Sequence, residues 1–290
     1  MQLPRIQTKT GKYLLLDLSD IHELVDVFGI TWETDEQRHQ LESLMSLIVA
    51  QLSPLVSGIV LGPEIGFSAL EQKTAQTGLL LSLEKQTDLL LVNEMPSIFP
   101  QWGVTHVKNN YGILFTKLFY HPHGELVKEK KRLLAELKDA CNYEGIANVL
   151  SLSLYPPEGQ PANQEAFQES QLVSIREFQT VADMLLLEYP HTALAAATIT
   201  AELDIPWLLV DRTQDYLHLK TALRTSLEAG AAGISVGGGN LFSSILPFEL
   251  DKDRVTQESM QQFETHLKTE VRDRLLEINR ILEEQQDNEV

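Results

Sequence analysis

One lysine interrupts an otherwise apolar run of residues. Lys117 lies within ILFTKLFY, residues 113–120, and is the only one of thirteen lysines that falls inside a predicted strand. Burial of an ammonium group is costly unless the group is paired. Burial also lowers the pKa of a lysine, as an imine-forming or acid–base lysine requires. The pattern therefore indicates a functional amine, and a lysine that reaches solvent or pairs structurally is the alternative.

Carboxylates follow several predicted strands. Asp17 ends the first apolar run and Glu188 ends the sixth, so either could pair with Lys117 or move protons. Taken alone, each is more typical of a hydrogen-bond acceptor for loop amides. Glu64, in Gly-Pro-Glu-Ile-Gly, lies in a tight turn, where capping or turn stabilisation is as good an interpretation as ligand binding.

A glycine-rich segment follows the last apolar run. In ISVGGGN, residues 234–240, Gly237, Gly238 and Gly239 would let the backbone approach a phosphate closely. A short helix from Leu241 could direct its N-terminus at the same anion. The alternative is a plain turn. The pattern predicts a phosphate site and indicates no organic cofactor.

The histidines and the single cysteine carry weaker signals. His121, His123 and His191 lie in His-Pro-His and Pro-His turns, but no spacing indicates a third metal ligand, so no metal is expected. Cys141 occupies an apolar helical position and is interpreted as a packed residue rather than a nucleophile. One cysteine excludes an intramolecular disulfide framework.

Eight short apolar runs alternate with amphipathic stretches, which is typical of βα units around a parallel sheet. The runs are residues 13–17, 57–62, 78–83, 113–119, 148–154, 183–189, 206–211 and 232–238. A doubly wound open sheet would carry its glycine-rich turn after the first strand. Here that turn follows the last strand, so we expect a (β/α)8 TIM barrel with function at the carboxyl ends of its strands.

Helices are predicted between the strands and after them, over residues 36–52, 125–142, 214–229 and 256–284. The last is a long amphipathic helix that would pack outside the barrel or pair with another subunit. We expect one domain over residues 1–290, a mobile loop after the fifth strand, and a frayed tail. The pattern of residues 89–104 predicts no element.

Charge and hydropathy argue against several classes of function. The net charge of −18 argues against non-specific binding to nucleic acid or anionic membranes, although a pocket could still gather donors around a small phosphorylated ligand. No apolar stretch reaches eighteen residues, and the apolar run near the N-terminus is too short for a signal peptide. We therefore expect a cytoplasmic protein.

At these strand ends the sequence resembles the tagatose 1,6-bisphosphate aldolases, which are class I aldolases on a (β/α)8 barrel. The resemblance covers residues 12–245, in LLLDLSD, VLGPEIG, GLLLSLEK, TKLFYHP and DMLLLEYP. The positions that match the family's motifs are Asp17, Glu64, Glu84, Lys85, Lys117, Asp183, Leu185, Glu188 and Pro190.

Four departures fall on functional positions of that family. Leu186 stands where the family has its Schiff-base lysine, and a leucine cannot form an imine. Ser151 stands at a glutamate position. Asp211-Arg212-Thr213 replaces a Ser-Ala-Gly phosphate segment, and Gly237-Gly238 replaces Gly-Arg. The family's mechanism cannot be carried over unchanged.

The sequence leaves two functions open, one non-catalytic and one catalytic. The first is a non-catalytic pseudo-aldolase that binds a phosphorylated metabolite, or a protein partner or second copy through the loop after strand five and the C-terminal helix. The second is a divergent class I aldolase in which Lys117 forms the imine while Glu188 or Asp17 moves protons. The candidate ligand-binding residues are Glu64, Lys85, Ser151, Arg212, Gly237, Gly238 and Gly239.

Overall fold

The strands close into a barrel. The computed structural model describes residues 3, 5–20, 25, 33–84, 94–100, 102–155, 163–210, 215–237, 241–242 and 256–284. Eight parallel strands follow one another around the barrel in chain order, and β8 pairs with β1. The strands are β1 Tyr13–Leu18, β2 Gly58–Leu61, β3 Gly78–Ser82, β4 Ile113–Tyr120, β5 Asn148–Leu154, β6 Met184–Glu188, β7 Trp207–Val210 and β8 Gly233–Gly237. The predicted TIM barrel is confirmed.

Alternate residues of each strand point to opposite faces, which explains why the strands are apolar throughout. On β6, Met184 and Leu186 join the cluster inside the barrel. Leu185 and Leu187 pack outward against the helical layer. Because the period is two, Glu188 shares the inner face with Leu186 at the end of the strand.

Helices surround the barrel. In the described ranges they are α1 Asp35–Leu52, α2 Ile65–Ser68, α3 Val104–Asn109, α4 Val127–Glu144, α5 Gln164–Phe178, α6 Ala193–Glu202, α7 Tyr216–Glu228, α8 Gln257–His266 and α9 Arg272–Glu284. The helix expected from residue 125 begins at Val127, because Leu126 adopts a left-handed conformation with φ of 57°. Helices α5 and α6 were not singled out in the sequence, although the alternation required helices there.

Local capping fixes the ends of the helices. At the start of α1, the Thr34 side chain accepts from the backbone of Gln37, and the Gln37 side chain accepts from the backbone of Thr34. Asp215 caps α7 by accepting from Leu217 and His218. These caps set the directions in which the two helices leave their loops.

The C-terminal segment lies on the outside of the barrel. A π-helical turn, Leu267–Val271, joins α8 to α9, so the expected continuous helix is interrupted. The apolar face of α9 is buried through Leu275, Ile278, Ile281 and Leu282. Asn279 Nδ2 donates to the carbonyl of Leu55 at 2.8 Å. Packing against its own barrel accounts for these four side chains, while Leu276 of the same helix is 43% exposed.

The segment that the sequence could not place continues from β3. Within residues 94–100, the backbone N–H of Phe99 donates to the carbonyl of Leu83 at 2.8 Å. Ile98 forms an isolated antiparallel bridge with Glu84. Residues 89–93 and 101 lie outside the described part of the chain, and α3 follows at Val104. The segment thus borders the carboxyl end of β3.

The amino ends of the strands are closed by the N-terminal residues. Leu3 and Ile6 join the cluster inside the barrel together with Tyr13. Gly78 permits this approach, since a Cβ there would lie 2.3 Å from the carbonyl oxygen of Arg5. This leaves the opposite end as the mouth of the barrel. Among the described helices, none is long and apolar enough to cross a membrane.

Candidate functional site at the barrel mouth

Lys117 points into the barrel. Its neighbours Leu114 and Leu118 pack outside, whereas Phe115 belongs to the interior cluster. The Lys117 Nζ lies 3.2 Å from Oδ2 of Asp17, and the two side chains are 19% and 17% exposed. Strands β1 and β4 are separated by β2 and β3, so this ion pair crosses the barrel lumen near its mouth.

Asp17 is held from its own loop as well. Its Oδ1 accepts from the backbone N–H of Ser19 at 2.9 Å and from the Ser19 hydroxyl at 2.6 Å. Both carboxylate oxygens therefore have partners, one in the turn and one across the lumen. The arrangement fixes a carboxylate–ammonium pair in a defined orientation.

Glu84 completes the group, although the sequence assigned it no role. Its Oε1 accepts from the backbone N–H of Lys117 at 2.7 Å, and its Oε2 accepts from the hydroxyl of Ser82 at 2.7 Å. Burial raises the pKa of Glu84 to about 7; the two hydrogen bonds and the charge of Lys117 oppose that rise, and the charge of Asp17 adds to it. A carboxyl group with that pKa can give or take a proton at neutral pH. The available signal was a polar pair, Ser-x-Glu, at the end of an apolar strand.

Two further inner-face residues lie beside Lys117. Ser151 of β5 is in register with Lys117, and Leu186 of β6 is in register with Ser151. Ser151 is 3% exposed and Leu186 is fully buried. Leu186 packs in the interior cluster with Phe115 and Leu208. Next to Lys117, the inner wall of the barrel therefore presents first the small hydroxyl of Ser151 and then the apolar side chain of Leu186.

The remaining carboxylate candidates lie at other strand ends. Glu188 is partly buried on the inner face of β6, and its carbonyl accepts from Gln171 of α5 at 2.9 Å. Glu64 follows β2 and occupies the N-cap position of α2, but its side chain makes no capping hydrogen bond. The capping interpretation of Glu64 is therefore wrong. Both residues border the mouth, while Asp17, Lys117 and Glu84 form the connected group.

Gly237 has a packing role. It is in register with Asp17, and a Cβ at this position would lie 2.5 Å from the carbonyl oxygen of Asp17. The close approach of β8 to β1 accounts for this glycine without a phosphate. The other residues of the predicted anion site, together with one basic candidate after β3, lie outside the described residues: Arg212, Gly238, Gly239 and Lys85.

The histidines and Cys141 do not extend the site. His121 Nδ1 accepts from the backbone N–H of His123 at 3.2 Å, and burial, followed by the charge of His123, lowers the pKa of His121. Within the described ranges, no group of three metal-ligating side chains could hold an ion. Cys141 is fully buried, and burial raises the pKa of its thiol to about 12. It is a packed residue, as expected.

Comparison with known proteins agrees with the resemblance. No family model matches the chain. Over 133 residues the chain is 31% identical to tagatose 1,6-diphosphate aldolase 1 of Streptococcus pyogenes serotype M3, a match that spans 44% of this chain and 41% of that relative. The chain thus spans about two fifths of the length of the curated relative it matches.

Solved structures share the fold. An archaeal fructose-1,6-bisphosphate aldolase, with its catalytic Lys covalently bound to the carbinolamine intermediate, superposes with a TM-score of 0.62 at 18% identity, covering 88% of this chain and 96% of that one. The fructose-bisphosphate aldolase of Slackia heliotrinireducens gives 0.59 at 14% identity, covering 88% and 86%. At these identities the likeness concerns the fold. The chain is an aldolase-like (β/α)8 barrel related to the tagatose-1,6-bisphosphate aldolases.

Proposed function

We propose that this barrel is a pseudo-aldolase that binds a phosphorylated metabolite at its mouth without forming an imine. The observation that carries the proposal is Leu186, which is fully buried on the inner face of β6. By the resemblance, this is the position of the family's Schiff-base lysine. A hydrocarbon side chain has no nucleophile to offer a carbonyl group.

Lys117 is better suited to binding a ligand than to nucleophilic attack. The amine of Lys117 is already held in an ion pair with Asp17 at 3.2 Å, and it would have to leave that pair to attack a carbonyl group. A charged, anchored ammonium is a good donor to a carbonyl, hydroxyl or phosphate oxygen. The buried hydroxyl of Ser151, on the neighbouring strand, lines the same inner face. This chemistry fits a small oxygen-rich anion such as a triose or ketose phosphate.

A metabolite is a better candidate ligand than a protein partner on the C-terminal helix. Four apolar side chains of α9 are buried, and Leu276 is 43% exposed. A partner would meet that one leucine on a largely polar face, where Lys220 and Arg224 of α7 already pair with Glu277 and Glu284. The mouth, by contrast, presents partly exposed charged groups in a fixed arrangement.

A divergent class I aldolase is the second candidate, and one observation favours it. Lys117 lies in the lumen next to Glu84, whose pKa of about 7 suits a proton shuttle at neutral pH. In this version Lys117 loses a proton, attacks the ketone of the substrate and releases water to give the imine. That reaction predicts an adduct on Lys117 after borohydride reduction in the presence of dihydroxyacetone phosphate.

Calorimetric titration with dihydroxyacetone phosphate tests the proposed binding. We expect saturable binding by the wild-type protein and at least tenfold weaker binding by Lys117→Met, which keeps the apolar stem and removes the charge. Lys128→Met, which removes a lysine from the first turn of α4, is the matched control and should bind normally. Equal affinity in all three proteins, or no binding by the wild type, would contradict the proposal.

A further inference from the structure

We propose that binding of an anionic ligand at the barrel mouth is coupled to the uptake of one proton by Glu84. The proposal rests on the function proposed above and adds the regulation of the same site. It follows from three charged groups that contact one another: Asp17 pairs with Lys117, and Lys117 donates its backbone N–H to Glu84.

The net charge of this group depends on Glu84 alone. Lys117 contributes one positive charge and Asp17 one negative charge, so the pair is neutral. With Glu84 ionised the group carries one net negative charge, and with Glu84 protonated it carries none. Since like charges repel most strongly where water is excluded, an anion that approaches Lys117 is opposed in the first state and not in the second.

The two carboxylates differ in their hydrogen bonds. Asp17 Oδ1 accepts two hydrogen bonds from Ser19, and Oδ2 faces the ammonium of Lys117. Glu84 accepts one backbone N–H and one hydroxyl, and the Ser82 hydroxyl can turn to accept instead. On protonation, the carboxyl O–H of Glu84 can donate to the Ser82 oxygen, while Oε1 still accepts the backbone N–H of Lys117.

Among the residues that the structure describes, few other charges surround Glu84. Those that act on it are Lys117 from β4 and Asp17 from β1. The segment that covers it bridges through Ile98, an apolar residue, and Glu94 of that segment is exposed. Burial already raises the pKa of Glu84 to about 7. A bound anion would raise the pKa further, and linkage then requires proton uptake on binding.

Calorimetry in buffers of different ionisation enthalpy measures the protons taken up on binding. At about pH 8, where the phosphate of dihydroxyacetone phosphate is fully ionised, we expect wild-type binding to take up close to one proton and Glu84→Gln binding to take up almost none. Above pH 7 the wild-type affinity should fall by up to about tenfold per pH unit, and that of the variant should stay level.

Two controls keep the outcomes distinct. Glutamine preserves the acceptor for the N–H of Lys117 and offers an amide to Ser82, so the variant should fold; Glu136→Gln, at an exposed position on α4, should behave as wild type. Equal proton uptake by wild type and Glu84→Gln would overturn the coupling while leaving the proposed function intact. No binding by the wild type would remove the proposed function, and the coupling with it.

Discussion

Replacement of Leu186 by lysine should install an imine-forming amine in the barrel. Leu186 is fully buried beside Phe115 and Leu208, so an amine at this position loses most of its hydration. Desolvation of that kind lowers a lysine pKa by up to 3–5 units. A lysine whose pKa falls by about three units from about 10.4 is about half neutral near pH 7.4 and largely neutral above about pH 8, where it would be ready to attack a ketone.

The same desolvation sets the stability cost. A lowered pKa of about three units, at 1.36 kcal/mol each, makes the Leu186→Lys variant about 4 kcal/mol less stable below its folded pKa. The cost disappears as pH rises above the pKa of an unfolded lysine, because the amine is then neutral in both states. Urea unfolding of the variant at about pH 7 and pH 10 should show this recovery.

The assay for imine formation is borohydride reduction with dihydroxyacetone phosphate, followed by intact mass and peptide mapping. We expect an adduct on residue 186 of the variant. Leu186→Met, which conserves volume and should cost less than about 1.5 kcal/mol, is the matched control and should give none. A folded, ligand-binding Leu186→Lys variant without an adduct would refute the assignment of this position to the imine lysine.

Three further changes test parts of the structure. Because the folded pKa of Glu84 is about 7 against the ordinary 4.5, wild type should lose about 3 kcal/mol of unfolding free energy as pH rises from 4.5 through 7, and Glu84→Gln should not show this loss in urea titrations. Gly237→Ala would place a Cβ 2.5 Å from the Asp17 carbonyl oxygen, so we expect about 1–3 kcal/mol of destabilisation by urea unfolding; unchanged stability would contradict the strand contact. Ile278→Ala should cost about 2–5 kcal/mol without altering the mass measured by light scattering; a change of oligomeric state would instead assign α9 to an interface.

The strands were predictable because burial on both faces imposes a simple signal. All eight apolar runs coincide with the strands of the barrel to within about one residue at most ends. The order of the strands also followed, since short βα units leave little choice of neighbour. Helix ends were less accurate because caps decide them, as the left-handed Leu126 shows at the start of α4.

The candidate site was only partly predictable. Lys117 and Asp17 could be named from residue type and position, but their pairing depends on the width of the barrel, which a sequence pattern does not express. Glu84 matched the family but received no role, since its raised pKa arises from burial, which residue type and position do not express. Glu64 was a candidate for ligand binding or for capping; its sequence position did not reveal that its side chain makes no capping hydrogen bond. The π-helical turn at Leu267 leaves the apolar spacing almost unchanged, so periodicity could not reveal it.

The central claim is that the wild-type barrel holds a sugar phosphate without bonding to it covalently. Reduction of the wild-type protein with borohydride, at a concentration of dihydroxyacetone phosphate that saturates the calorimetric signal, tests this most directly. A tagatose-bisphosphate aldolase treated in parallel serves as the positive control. The account predicts an unchanged intact mass. An adduct mapped to Lys117 would contradict it and would make the protein a class I aldolase with a relocated nucleophile.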